Sequence, residues 1–176
     1  MQAAEWIAEL LESSGISAVV IGAVALAAHG YVRHNDDIDL GVDADLQQMR
    51  ALVDVLRRDG FAAVLHEPDG NDPPGGVIDI PDDFGLVQVV SFADRFPAVV
   101  PDTLAAEAVP IRPGSALRLV PLAQLVALKL YAGGLASKAD ILELLLRNPK
   151  ADLESVRGTC LRCRLRGLDA ILEELA

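Results

Sequence analysis

Residues 19–42 read VVIGAVALAAHGYVRHNDDIDLGV, and this stretch decides the fold. Ile16 to Ile21 is a short apolar run rich in β-branched residues, which predicts a buried strand closed by Gly22. The Ala-rich segment 23–29 predicts a helix, stopped by Gly30. Asp37 to Val42 alternates acid and aliphatic, the period of a strand with two unlike faces. Asp37 and Asp39 then share one face, while Ile38 and Leu40 point into the core. Two carboxylates held side by side repel by about 1 kcal/mol at 4 Å in water and about 4 kcal/mol at an effective dielectric of 20. A hard divalent cation such as Mg²⁺ or Mn²⁺ relieves that repulsion, and carboxylate oxygens suit it. Gly22 permits a tight strand-to-helix turn, and the N–H groups at the start of the next helix suit a phosphate. A phosphate cradle beside a metal-binding acid pair is what phosphoryl or nucleotidyl transfer needs.

Outward from this stretch, residues 3–13 predict a helix with Trp6, Ile7, Leu10 and Leu11 on one stripe. A second helix is expected over 45–59, with Leu46, Met49, Leu52, Val53 and Leu56 at helical spacing and Gly60 as its stop. Strands are expected at 61–65, 77–80 and 86–92, with a Pro- and Gly-dense loop over 66–76. Short strands near 108–112 and 116–120 precede helices at 121–132, 137–147, 151–165 and 168–175. The fold class is therefore α+β: a mixed sheet with flanking helices, then a C-terminal helical part. The expected division is a core over residues 1–120 and a helical subdomain over 121–176. The strands at 17–21 and 37–42 are expected to be neighbours, with helices packed on one face of the sheet.

The 176-residue chain is long enough for a core without disulfides, and its two cysteines make no disulfide framework. Aromatics are 4%, which argues against single-strand nucleic-acid binding by stacking. There is no charge-free apolar run long enough to span a membrane, and Met1-Gln-Ala-Ala-Glu5 lacks a basic n-region. A cytoplasmic location is the expectation. The net charge of −11 is uneven: residues 1–111 carry −14 and residues 112–176 carry +3. Opposite signs favour a cleft between the two parts, lined by the basic and Lys129-bearing face of the second. Arg157, Arg162, Arg164 and Arg166 form the densest basic cluster, suited to RNA, to an acidic partner or to solvent. Cys160-Leu-Arg-Cys163 has no second pair nearby, so zinc is not expected.

The run 19–42 resembles the signature of the nucleotidyltransferase superfamily, which has the DNA polymerase β-like fold. That signature is a hydrophobic strand, Gly-Gly or Gly-Ser, a spacer and Asp-x-Asp; here residues 24–36 form the spacer. The match is closer to small prokaryotic members related to the AbiEii-like toxin nucleotidyltransferases. They read GG-x-A-x-x-x-H-G-x-x-R-x-T-x-D-I-D-L, with which Ala25, His29, Gly30, Arg33, Asp37, Ile38, Asp39 and Leu40 fall in register. Lys129, Gly133, Lys138, Asp140 and Ile141 match a second segment of the same group.

The resemblance implies transfer of a nucleoside monophosphate from an NTP–Mg²⁺ or NTP–Mn²⁺ complex to a hydroxyl of RNA, protein or a small molecule. It implies Asp37 and Asp39 as catalytic metal ligands. It also implies Gly22, Ala23, Arg33, Gln88 and Lys129 as nucleotide contacts, and allows a partner protein or homo-oligomer, as in toxin–antitoxin pairs. Ala23 stands where a second Gly or a Ser is usual, and Asn35 replaces Thr. The family's third acid belongs on a later strand, where this chain has Gln88, a neutral group unable to act as a base. Asp79 is the alternative third metal ligand and Asp94 a poorer one. Arg33 suits either a phosphate or an ion pair within the Asp loop. Lys129 suits either a ligand phosphate or a strand acid, and His29 reads as a packed histidine. A catalytically degenerate nucleotide- or partner-binding protein is the other reading, favoured by Gln88 and Ala23.

Overall fold

The computed structural model describes residues 2–33, 37–69, 75–83, 85–93, 100, 102–103 and 109–175. Asn35, Asp94 and the middle of the Pro- and Gly-rich loop lie outside them, as does the start of the strand expected at 108–112. Six strands form one mixed sheet: β1 (Ala18–Ile21), β2 (Asp37–Val42), β3 (Val64–His66), β4 (Gly76–Asp82), β5 (Gly85–Ser91) and β6 (Arg118–Leu119). Their order is β3-β4-β5-β2-β1-β6. β1 and β2 are antiparallel neighbours, as expected, with Ile21 opposite Asp39. β2 runs parallel to β5, and β1 parallel to β6. The second short strand expected near residue 110 is reduced to a single bridge, Pro110 to Arg118.

The helices are α1 (Gln2–Ser13), α2 (Gly22–Ala28), α3 (Leu46–Arg58), α4 (Leu122–Ala132), α5 (Gly134–Arg147), α6 (Leu153–Arg162) and α7 (Leu168–Glu173). Asp45 caps α3 by accepting from the Gln48 N–H, and the Gln48 side chain answers by accepting from the Asp45 N–H. At the other end of α3, Phe61 N–H donates to Leu56 and Gly60 N–H to Arg57. The chain is still closing that helix at Phe61. This is why β3 starts at Val64, three residues later than the apolar run 61–65 suggests. In α1 the buried residues are Ala4, Glu5, Ile7, Ala8 and Leu11. Trp6 is rotated out of the expected stripe, is 53% exposed, and packs edge-on against Phe61 with ring centroids 5.8 Å apart.

Helices cover both faces of the sheet, not one. Every side chain of β1 is buried, and adjacent residues feed different cores. Val20, with Leu40, Ile78 and Val89, packs under α1 and α3. Val19 and Ile21, with Phe92, pack against α2 and α4 to α7. The helices beyond residue 120 thus share a core with the sheet face that carries the acids. Strand alternation makes this unavoidable, because Val20 and Leu40 face one way while Ile21 and Asp39 face the other.

Leu40, next to Asp39 on β2, is fully buried in the first core. Leu40→Ala is expected to cost about 2–5 kcal/mol, read as a fall in the urea midpoint at unchanged slope.

Candidate active site

Strand register places the site. Ile21 pairs with Asp39, Asp39 with Gln88, and Gln88 with Asp79. These four positions form one row across β1, β2, β5 and β4, on the face covered by the C-terminal helices. Asp37 lies two residues before Asp39 on the same face, opposite Leu86. With neighbouring strands about 4.8 Å apart, Asp79 stands two spacings from Asp39, with Gln88 between them.

Gly22 follows Ile21 with φ of +66°, and a Cβ built on it would lie 1.7 Å from Asp39 Oδ2. The carboxylate therefore occupies the space that any other residue's side chain would fill. Ala23, the next residue, is buried. Among the described residues neither the Asp37 nor the Asp39 side chain forms a hydrogen bond or close ion pair. Burial pushes the Asp39 carboxyl above its ordinary range and Asp37 pushes it further, while Lys129 and Arg33 pull the other way.

Those two cations are held by Asp140, which is 3% exposed on α5. Lys129 Nζ lies 2.7 Å from Asp140 Oδ2, and Arg33 Nη1 lies 3.7 Å from Oδ1. Lys129 thus pairs with a helix acid and not with a strand acid, and Arg33 makes its ion pair there too. Asp140 is the site residue that reading for strand acids passes over. Its signal is a carboxylate beside Ile141 on an otherwise apolar face, a position that requires a partner.

A cavity of about 380 Å³ opens between the strand ends and α4, lined by Ile21, Gly22, Asp39, Phe92, Leu125, Leu128, Lys129, Tyr131 and Ala132. Asp39 and Lys129 are the charged groups of a largely apolar wall. The cleft between the acidic and basic parts therefore exists, with Lys129 on its far side. The arginine cluster does not line it. Arg157 binds Glu154 and Asp169, Arg162 binds Asp102, and Arg157 and Arg166 border a separate hollow at the α6–α7 corner. Cys160 lies on that hollow, and burial raises its thiol to about 11, so it stays protonated at neutral pH.

Asp79 shares the face of the acid pair but is engaged by its own neighbours. Gln88 Nε2 donates to its Oδ1 at 2.7 Å, and His66 Nε2 lies 3.0 Å from its Oδ2. His29 is a packed histidine, with Nε2 2.9 Å from the Val120 carbonyl oxygen. Among the described residues no three His, Cys, Asp or Glu side chains gather as a metal-holding group. Two carboxylates without close cations still fit Mg²⁺, which is commonly held by one or two carboxylates plus waters and substrate phosphates.

Neither a family model nor a curated protein matches the sequence. Solved structures do match. The antibiotic-resistance factor ANT(2'')-Ia, in its solution structure, is 19% identical with a TM-score of 0.51, covering 96% of this chain and 91% of its own. Its crystal structure in complex with adenylyl-2''-tobramycin is 18% identical with a TM-score of 0.51, covering 90% and 92%. An antigenic nucleotidyltransferase-like protein from Paracoccidioides brasiliensis is 17% identical with a TM-score of 0.53, covering 92% and 85%. At these identities the likeness establishes the fold: this chain has the mixed α/β fold of nucleotidyltransferases.

Two outcomes follow from the Gly22–Asp39 contact. Gly22→Ala is expected to cost about 1–3 kcal/mol from the backbone alone and to displace Asp39, so calorimetry should show loss of Mn²⁺ binding with loss of stability. Asp39 has a folded-state pKa above its unfolded value of 3.8, so its ionisation opposes folding as pH rises through that folded value. In metal-free buffer Asp39→Asn should melt at or above the wild-type temperature at pH 7. The difference should shrink as pH falls toward 3.8.

Proposed function

We propose that this chain transfers a nucleoside monophosphate from a nucleoside triphosphate to a hydroxyl acceptor. The observation that carries the reading is the Asp37–Asp39 pair, whose side chains make no close ion pair among the described residues, with Asp39 and Lys129 lining one cavity of about 380 Å³. Asp37 and Asp39 would hold a divalent cation, Mg²⁺ or Mn²⁺. When bound, such a cation supplies charge neutralisation for the phosphates and a lower pKa for an attacking hydroxyl.

The chain's own residues do the rest. Gly22, lacking a side chain, makes room for the Asp39 carboxylate at the start of α2. Lys129, and Arg33 behind it, supply positive charge, and Asp140 keeps both poised when no phosphate is present. Phe92, Leu125, Leu128 and Tyr131 offer an apolar wall suited to the flat face of a base. That a protein of this fold is found in complex with adenylyl-2''-tobramycin supports a small-molecule hydroxyl as acceptor. RNA and protein are the other acceptor classes. The AbiEii-like subgroup, with its toxin–antitoxin association, rests on the two motif matches.

A second reading, nucleotide or partner binding without transfer, draws on Gln88 standing next to Asp39. One experiment addresses both. Mn²⁺ with ATP, CTP, GTP or UTP is expected to raise the wild-type melting temperature, by the equivalent of about 2.7 kcal/mol at a hundred times Kd. Asp39→Asn should abolish the rise, and α-labelled nucleotide should be transferred to an acceptor by the wild type alone. A melt unmoved by metal and nucleotide counts against transfer and selects the partner-binding form of the second reading. A shift without label transfer to water, RNA or tobramycin selects the binding reading.

A further inference from the structure

We infer that two copies of this chain pair through the outer face of α5, as a symmetric, antiparallel helix pair. A helix on a protein surface needs one apolar face, and α5 has two. Its inner face is buried: Asp140 pairs with Lys129, and Ile141, Leu144 and Leu145 join the core shared with α2 and α4. Its outer face carries Leu135, Ala139, Leu142 and Leu146. Leu135 is 87% exposed, the most of any large apolar residue described, and Leu146 is 60% exposed. Ala139 is exposed between them, and Leu142 is half-buried. Steps of four, three and four residues set these side chains in one line, the spacing of a helix–helix seam.

The order of residues along that line selects a second copy as its occupant. About a twofold axis midway between residues 139 and 142, Leu135 meets Leu146 of the second copy and Ala139 meets Leu142. Each small residue then faces a large one, and the seam fills evenly. In a parallel pair the two copies of Ala139 would face each other and leave a gap. A twofold pair is self-complementary, so one patch serves both copies.

Charge agrees with this choice. Lys138 pairs with Glu174, and Arg147 with Glu143, within each chain. No unpaired charge enters the seam, and a face with its charges already paired offers little to a strongly acidic or basic partner. The face also belongs to the part of the chain with net charge +3, so two chains of −11 meet where they repel least. At about 21 Å long and about 10 Å wide, the seam falls well short of the roughly 800 Å² per partner of a standard interface. The dimer is accordingly weak and depends on concentration.

Sedimentation equilibrium of the full chain from about 5 to about 500 μM reads it. The weight-average mass is expected to rise from 18.6 kDa toward twice that value. Leu146→Lys should weaken association on the order of a hundredfold, because the change enters the seam twice. The position is exposed, so the melting temperature of the dilute chain should not move. Ala139→Leu should also weaken pairing, by overfilling the centre. Combining Ala139→Leu with Leu142→Ala should restore it, since a large residue again faces a small one. A wild type that stays at 18.6 kDa throughout overturns the proposal and leaves the face to a different protein. Association that survives both Leu146→Lys and Ala139→Leu lies elsewhere on the surface and overturns it too. A combined variant that melts as wild type does but fails to pair overturns the antiparallel order.

Discussion

The approach of Asp39 to Gly22 governs the site. The carboxylate fills the volume a Cβ would take, which is possible only because the chain turns from β1 into α2 through a positive φ at a residue with no side chain. That turn sets where the cavity opens. It also brings the carboxylate under the C-terminal helices, where burial and Asp37 make its charge costly. The cost is tolerated because Leu40, one residue on, anchors the same strand in the opposite core.

The basic groups obey a similar economy. A lysine and an arginine near a cavity that awaits phosphate would repel each other, and each would draw counter-ions. Asp140 pairs with both, at 2.7 Å and 3.7 Å, which offsets one of the two charges without Asp140 entering the cavity lining. A buried pair of this kind adds little net stability, since desolvation offsets attraction, but losing one partner leaves an uncompensated charge. Its value here is positional: it keeps Lys129 on the wall opposite Asp39.

Much of this was legible in the residues. Asp37-Ile-Asp-Leu-Gly-Val42 alternates so regularly that β2 matches its expected bounds, and the all-apolar Ala18–Ile21 announces a strand buried on both sides. Gly22 and the acid pair were readable as partners because each has a chemical reason to be near the other. What escaped was set by long-range packing. Which strand lies beside β2 follows from a parallel crossover, so Asp79's distance from Asp39 and its hold by His66 have no local signal. Trp6 sits out of its helix's buried stripe because Phe61 meets it at the edge. Helix cover on both faces was hidden in the same way. The alternation of Val19 and Val20 states that two cores exist, but not which helices fill them.

The parallel pairing of β2 with β5 also has a meaning for how the chain is made. On the edge away from β1, β2 pairs with residues 86–91, far along the chain, whereas β4 and β5 are close in sequence and pair locally. Contacts so distant in sequence form slowly, because loop closure must precede their reward. During synthesis the acidic pair leaves the ribosome on a β1–β2 ribbon with one open edge, and at about 5–20 residues per second it waits seconds for β5. Lys129 and Asp140 arrive later still. The nascent chain therefore passes through a stage in which the −14 part is complete and its basic counterpart is still in the tunnel. At that stage self-repulsion helps keep unfinished chains apart.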